Sequence, residues 1–171
     1  MELRLKSGEV VIERPNSHLH NDGMAALLEE ALQKVSSQER QFIEAEIKFP
    51  HTVGKTILVE TAPEDKIVFA QRPKRFGLTR FVKNREAVPC RSITIVLRKG
   101  DQGQVPGCYY VLLTAYVGYP TPSEPWNERD FVARENPDIA RQMARDFWSN
   151  HALVYGSEPV VPGTETTVCP W

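Results

Sequence analysis

The stretch Arg91–Tyr119, RSITIVLRKGDQGQVPGCYYVLLTAYVGY, decides the fold because it holds the two strongest β-forming runs of the chain. In Arg91–Arg98 every second residue is Ile or Leu, which is the two-residue period of a strand. Cys108–Val117 alternates in the same way. One predicted face carries Tyr109, Val111, Leu113, Ala115 and Val117, and the other carries Tyr110, Leu112, Thr114 and Tyr116. The nine residues between the runs include three glycines and one proline, as is typical of a hairpin loop. The sequence therefore predicts an antiparallel hairpin.

The register of this hairpin determines whether its hydroxyl groups meet. If Arg98 lies opposite Cys108, then Ser92 lies opposite Thr114, and Tyr116 is diagonal to Ser92. Three hydroxyl groups would then share one face of the sheet, and a one-residue slip would separate them. Ordinary strand positions on a solvated face explain the same residues, so both interpretations stay open.

Length and composition indicate a globular protein. The 171 residues are 41% hydrophobic and 25% charged, which predicts a folded chain with a hydrophobic core. We expect one domain over residues 1–155 and a Pro-rich C-terminal arm over residues 156–171. The net charge is only −1, yet Arg72–Lys99 holds nine of the 21 Lys and Arg residues and one acid, Glu86. A basic segment on an otherwise acidic chain favours an anionic ligand, although a solvated basic loop has the same composition.

The cysteines and hydropathy suggest a cellular location. Cys90, Cys108 and Cys169 have no metal-ligand spacing, and their number is odd. The sequence contains no apolar run of 18 residues and no recognisable cleavable leader. We therefore expect a cytoplasmic protein with no membrane association.

An amphipathic helix is predicted near the N-terminus. Apolar residues recur every three or four positions over Met24–Val35, which predicts one buried stripe. Asn21 or Asp22 is expected to cap this helix. The alternative is a metal site formed by His18, His20 and Asp22, since these side chains would share one side of a strand.

The remaining pattern predicts an α+β fold. Phe42–Phe49 alternates as a strand does, and Asn136-Pro137-Asp138 is a typical helix start. We expect an antiparallel sheet of about five strands, with the N-terminal amphipathic helix and a C-terminal helix over residues 137–149 packed on it.

Residues 50–56, PHTVGKT, form a polar loop that ends in Gly-Lys-Thr. The first glycine of a phosphate-binding loop would have to stand at position 49, which is Phe49, so this type of nucleotide binding is excluded. His51 could act as an acid or base because an ordinary His pKa is near neutrality. An inert surface His is the alternative.

The basic run Gln71–Pro89 interleaves apolar and cationic residues. Phe76, Leu78 and Phe81 would anchor the segment inward while its Lys and Arg side chains face outward. Arg binds phosphate with a planar fork and Lys with a point charge, so an anion-binding role is predicted.

Six segments between Val53 and Leu153 resemble a family of uncharacterised prokaryotic proteins. They are Ile67–Ala70 (IVFA), Thr79–Arg85 (TRFVKNR), Ser92–Lys99 (SITIVLRK), Leu112–Gly118 (LLTAYVG), Glu124–Trp126 (EPW) and Phe147–Leu153 (FWSNHAL). This resemblance implies no function.

The layout is also similar to the barnase–EndoU–colicin–RelE ribonuclease superfamily, whose members cleave RNA without a metal on one face of a twisted antiparallel sheet. The segment His51-Thr-Val-Gly-Lys55 is similar to a stretch of its compact toxin members. That resemblance implies no cofactor and no metal. The catalytic residues that it implies are His51, Arg80, Ser92, Thr114 and Tyr116. The RNA- or anion-binding residues that it implies are Lys55, Lys83 and Arg85.

Two functions follow as hypotheses. The first is a metal-independent endoribonuclease-like or RNA-binding domain, in which His51 moves a proton and cations stabilise the charged phosphorane. The second is a non-catalytic module that binds a protein partner or a small anionic ligand through the same basic surface.

Overall fold

The computed structural model describes residues 2–21, 23–100 and 108–171. These residues form two compact units, each built from two chain segments. Residues 1–55 and 89–120 make the first unit, and residues 56–88 and 121–171 make the second. Residues 156–171, predicted to be an arm, lie in the second unit. The expectation of one domain over residues 1–155 stays a prediction.

The elements follow the predicted α+β composition. In chain order they are β1 (Leu3–Arg4), β2 (Val10–Leu19), α1 (Met24–Leu32), β3 (Phe42–Lys48), β4 (Gly54–Thr56), β5 (Leu58–Glu60), β6 (Ile67–Gln71), β7 (Leu78–Val82), β8 (Val88–Cys90), β9 (Ser92–Lys99), β10 (Tyr109–Val117), α2 (Glu128–Val132), α3 (Pro137–Asn150) and β11 (His151–Val154). The strands β4 and β8 form a small two-stranded sheet.

The first unit contains a five-stranded sheet in the order β1-β2-β10-β9-β3. The strands β9 and β10 pair antiparallel, as predicted, although in a different register, and β3 lies antiparallel to the other edge of β9. The strand β2 is parallel to β10, so the prediction of a purely antiparallel sheet is wrong. Parallel neighbours need a long connection, and the chain between these two strands includes a whole segment of the second unit.

A β-bulge at Leu113 shifts the faces of β10. Leu112 pairs with Leu97, and Thr114 pairs with Val96, which leaves Leu113 without a partner in β9. Before the bulge the even-numbered residues of β10 face the core, and after it the odd-numbered residues do. The core-facing set is therefore Tyr110, Leu112, Ala115 and Val117, and not one unbroken alternation.

The core of the first unit joins α1 to the sheet. Met24, Leu28, Ala31 and Leu32 of the helix belong to one buried cluster with residues of β3, β9 and β10. The predicted stripe is thus confirmed by burial. The predicted cap is wrong for Asn21, because Gly23 holds the N-cap position with a φ of 81°. The Oδ1 atom of Asn21 instead accepts a hydrogen bond from the Val117 backbone at 2.9 Å. Asp22 lies outside the described residues.

The second unit contains a four-stranded sheet in the order β5-β11-β7-β6. The strand β7 was not predicted, because Arg80 and the cations that flank the strand obscured the buried positions Thr79, Phe81 and Val82. The helix α3 matches the predicted range, belongs to this unit and leads directly into β11. It buries Ala144 and Trp148, while Ile139 and Met143 are exposed.

The C-terminal arm continues the four-stranded sheet at the edge of β6. Phe69 and Thr166 exchange two backbone hydrogen bonds at 2.7 and 2.8 Å, and the Val161 N–H donates to the Gln71 carbonyl at 2.8 Å. The Trp171 ring meets the Phe69 ring edge-on, with 5.3 Å between centroids. These contacts satisfy backbone groups that an open edge strand would expose.

Replacing Ile95 by Ala tests the core position of β9. Ile95 is fully buried, so we expect a loss of about 2–5 kcal/mol in the free energy of unfolding. Urea denaturation followed by circular dichroism measures it. The matched control is Ile139→Ala, since Ile139 is 58% exposed and should change stability by about 0.5 kcal/mol or less. Equal losses for both variants would contradict this core assignment.

Candidate functional site

The eight site residues named from the sequence divide between the two units. The first unit holds His51, Lys55, Ser92, Thr114 and Tyr116, and the second holds Arg80, Lys83 and Arg85. Each group has its own local geometry.

In the first unit, the His51 loop lies at the Ser92 end of the central strand. The Phe49 N–H donates to the Arg91 carbonyl at 2.8 Å, which fixes the start of the loop beside β9. The His51 ring packs against the Phe49 ring, with 5.9 Å between centroids. The fold thus brings His51 and Ser92 to the same end of one sheet.

The hydroxyl residues share a face of β9 and β10, but their predicted pairing is wrong. Tyr116 lies opposite Thr94, and Thr114 lies opposite Val96, four residues along β9 from Ser92. The bulge and a shift of three to four residues in register cause this difference.

The hydroxyl groups themselves have different environments. Ser92 Oγ donates to Glu46 Oε2 at 2.7 Å, and the buried Thr94 donates to the Gly118 carbonyl at 2.8 Å. Thr114 Oγ1 is buried, with no hydrogen-bond partner among the residues that the structure describes. A buried hydroxyl cannot reach a bound phosphate, so Thr114 is poorly placed for the role that the resemblance implies.

In the second unit, the predicted cations already have partners. Arg80 donates to Thr61 Oγ1 at 3.0 Å and to the His151 carbonyl at 2.9 Å. Lys83 pairs with Glu165 at 2.5 Å, and Arg85 pairs with Asp65 at 3.1 Å. Burial lowers the pKa of Arg80, and the nearby Cys169 and Asp65 partly offset this effect.

A buried ion pair that the sequence analysis did not identify lies at the base of the β6–β7 hairpin. Arg72 donates to Thr79 Oγ1 at 3.0 Å, to Glu124 at 2.7 Å and to Glu158 at 2.9 Å. Only 16% of the Arg72 side chain is exposed. Burial opposes its charged form, but the two carboxylates outweigh that penalty and raise its pKa. The segment Glu124–Trp126, noted only for its resemblance, supplies one of these partners.

The hairpin tip, defined here as residues 73–77 between Arg72 and β7, is held by hydrogen bonds to residues that flank it. The Arg75 N–H donates to the Arg72 carbonyl at 3.2 Å, and Gln71 Nε2 donates to the Arg75 carbonyl at 2.6 Å. Gly77 lies so close to Trp126 that a Cβ atom there would be 2.1 Å from the indole Cγ. Only glycine fits this contact, so the tip is fixed against the Glu124–Trp126 segment.

The tip presents an aromatic ring next to two cations. The Phe76 side chain is 92% exposed, which corrects the expectation that it anchors the segment inward. Lys74 and Arg75 are also exposed, and neither forms an ion pair within the described part of the chain. A rigid exposed ring beside unpaired cations can stack on a flat group and neutralise phosphates at the same time.

Residues 2–21, 23–100 and 108–171 contain no group of three or more His, Cys, Asp or Glu side chains arranged for a metal ion. His18 and His20 stack with 6.1 Å between centroids, but the third proposed ligand, Asp22, is outside these ranges. No helix in the same ranges combines the length and the apolar character needed to cross a bilayer.

Replacing Glu124 by Gln tests the ion pair that braces the tip. Glu124 is buried, and its loss of charge leaves Arg72 with only the half-exposed Glu158, so we expect a destabilisation of about 2–4 kcal/mol. Urea denaturation measures the change. Glu158→Gln should cost clearly less, because 36% of the Glu158 side chain is exposed. The bracing role is refuted if the Glu124 variant is as stable as the wild type.

The arm contact at Glu165 predicts a specific pH dependence. Hydrogen bonds from Lys83 and Tyr155 hold the pKa of Glu165 below its ordinary value of 4.5. Its contribution to stability is therefore present above that value and is lost as the pH falls through the lower pKa of the folded state. The melting temperature of wild type should exceed that of Glu165→Gln at about pH 7, and the difference should vanish in acid. The matched control is Glu64→Gln, at an exposed position that forms no ion pair among the described residues.

Comparison with known proteins shows the fold alone. No family model matches the chain, and no curated protein matches it. A 2.35 Å crystal structure of a conserved hypothetical protein from Toxoplasma gondii ME49 is similar, with a TM-score of 0.56 and 13% sequence identity. The match covers 94% of this chain and 97% of that chain. The two resemblances noted in the sequence remain predictions, and function has to be argued from the residues.

Proposed function

We propose that this protein binds single-stranded RNA without cleaving it, and that the hairpin tip is its contact element. The observation that carries the proposal is Phe76, 92% exposed beside the unpaired cations Lys74 and Arg75 on a braced tip. Covering a hydrophobic ring this exposed removes its apolar surface from water, which is favourable. An RNA base can cover it because both faces of a base are flat and apolar.

The physical basis is the combination of stacking and charge. Stacking of one base on an aromatic side chain contributes about 1–3 kcal/mol in single-strand binding, with little dependence on sequence. Lys74 and Arg75 directly precede the ring in the chain and are exposed, so they can neutralise phosphates of a nucleotide stacked on it. Since Gly77 and Arg72 fix the tip beforehand, little conformational entropy is lost on binding.

The local contacts favour binding over cleavage. Cleavage by the 2′-hydroxyl requires a base, an acid and a cation that converge on one phosphate. Ser92 donates to Glu46, the Thr114 hydroxyl is buried, and the Arg80 guanidinium is engaged with Thr61 and a backbone carbonyl. Binding at the hairpin tip requires none of these groups to change partners.

Fluorescence anisotropy with a labelled single-stranded RNA of about ten nucleotides, in EDTA, tests the proposal. We expect Phe76→Ala to weaken binding about 5- to 150-fold, the equivalent of one lost base stack. Phe42→Ala is the matched control, because Phe42 is also exposed but lies in the first unit, and it should leave the affinity unchanged. A plot of the logarithm of the binding constant against the logarithm of the salt concentration has a negative slope. Lys74→Ala and Arg75→Ala should each reduce the magnitude of that slope by about 0.7.

Three outcomes contradict this function. The first is an absence of RNA binding, and the second is binding that Phe76→Ala leaves intact. The third is RNA cleavage in EDTA that His51→Ala or Arg80→Ala abolishes, which would favour the endoribonuclease hypothesis instead. Binding of an acidic protein in place of RNA would favour the partner-binding alternative.

A further inference from the structure

The strand β3 is an open edge of the five-stranded sheet. All of its residues, Phe42–Lys48, pair with β9 without a register shift. In the described part of the chain, no strand pairs with the opposite side of β3. A strand in this position presents backbone donors and acceptors that another strand can bind.

The hydrogen bonds to β9 show which backbone groups are available. The Lys99 N–H donates to the Gln41 carbonyl at 2.8 Å, and the Phe49 N–H donates to the Arg91 carbonyl at 2.8 Å. Hydrogen-bonded residues alternate along a strand of an antiparallel pair, so the odd-numbered residues of β3 direct their backbone groups at β9. The N–H and C=O groups of the even-numbered residues therefore point away from β9, towards the open edge. These residues are Phe42, Glu44, Glu46 and Lys48.

The other edges of the two large sheets are covered or short. At β1, the Gln33 side chain donates to the Arg4 carbonyl at 2.9 Å. At β6, the C-terminal arm exchanges backbone hydrogen bonds with Phe69. The remaining edge strand, β5, has three residues, whereas β3 has seven and contains neither a proline nor a bulge. Covers, short strands, prolines and bulges commonly protect exposed edges, and none of these protects β3 among the residues that the structure describes.

The side chains of β3 have a different chemistry on each face of the sheet. Ile43 and Ile47 are buried in the core cluster, and Ala45 is partly buried against it. On the other face, Glu44 and Glu46 are exposed and lie two residues apart. The edge thus combines available backbone groups with two carboxylates at the spacing of alternate strand residues.

These carboxylates disfavour a second copy of this chain as the partner. Two antiparallel copies of β3 overlap most fully when the pairing is centred on Ala45. That register places Glu44 of each copy opposite Glu46 of the other, and like charges directly opposite each other destabilise a strand pair. A strand with Lys or Arg at two alternate positions would instead attract both glutamates. Ser92 donates to Oε2 of Glu46, and the second oxygen of that carboxylate can accept from such a strand.

We propose that β3 binds an extended basic peptide segment of another protein, which adds a sixth strand to the five-stranded sheet. The segment lies antiparallel to β3, the commoner arrangement of paired strands. Its apolar residues lie on the core side, and its Lys or Arg residues lie opposite Glu44 and Glu46. Backbone hydrogen bonds supply affinity, and the charged pairs supply specificity. This surface belongs to the first unit, and the inference does not rest on RNA binding at the hairpin tip.

Fluorescence anisotropy with a labelled synthetic peptide tests the proposal. The peptide has seven residues, which is the length of β3. Its first residue is Glu, to face Lys48, its third and fifth are Arg, to face Glu46 and Glu44, and its seventh is Tyr, to face Phe42. Val fills the other positions. A comparison peptide with Glu in place of both Arg should bind about tenfold more weakly or worse, because two attractive pairs become repulsive.

Exchanging the charges on the protein should reverse this preference. The double variant Glu44→Lys, Glu46→Lys should bind the comparison peptide more tightly than the Arg peptide. Its matched control is Glu64→Lys, Glu135→Lys, at two exposed positions of the second unit, which changes the net charge equally and should keep the wild-type preference. All four positions are exposed, and circular dichroism verifies that both variants are folded.

Amide hydrogen exchange measured by NMR locates the bound peptide. When the Arg peptide is added, exchange should slow at the even-numbered residues of β3, whose N–H groups face the open edge. The odd-numbered amides are already protected by β9 and should change little. Binding to a helix or a loop would not produce this alternation.

The proposal is overturned if the Arg peptide does not bind, if both peptides bind equally, or if both double variants lose the preference to the same extent. It is also overturned if the wild type forms a dimer in sedimentation experiments that Glu44→Lys, Glu46→Lys changes, since a second copy would then occupy β3. Neither result bears on RNA binding through Phe76, so this proposal and the proposed function succeed or fail independently.

Discussion

The buried guanidinium of Arg72 is the constraint on which the second unit depends. A charge with little access to water must be neutralised, and its donors must be satisfied. The partners of Arg72 come from β7, from the Glu124–Trp126 segment and from the C-terminal arm. One side chain thus joins three distant parts of the chain, and the hairpin tip owes its fixed position to that junction.

Local patterns allowed much of the fold to be predicted. The alternation in β9 and the three- and four-residue spacing in α1 depend only on neighbours in the chain, and both elements were identified correctly. The parallel pairing of β2 with β10 and the division into two units depend on contacts across many residues. No local period encodes these contacts, so they could not be predicted from a single sequence.

The candidate site, like the fold, could be predicted only where it depends on residues that are close together in the chain. The sequence identifies a cluster of cations, but it cannot tell which are already neutralised. Arg72 pairs with acids that lie 52 and 86 residues away, and Lys83 with one that lies 82 residues away. Phe81 and Phe76 looked alike in the sequence, yet one is buried and the other almost fully exposed. Only three-dimensional placement separates a structural cation from an available one.

The bulge at Leu113 has a consequence for how variation in this strand should be understood. The extra residue reverses which side chains of β10 face the core. Even-numbered positions face the core before Leu113, and odd-numbered positions face it afterwards. Tyr110 and Leu112 require apolar replacements, as do Ala115 and Val117, although the two pairs differ in parity. A homologous strand that lacks the extra residue would align with this one by letter on only one side of the bulge. Such strands should be aligned by which face of the sheet each residue occupies, with a one-residue gap opposite Leu113. Core-facing residues are then compared with core-facing residues on both sides of the bulge.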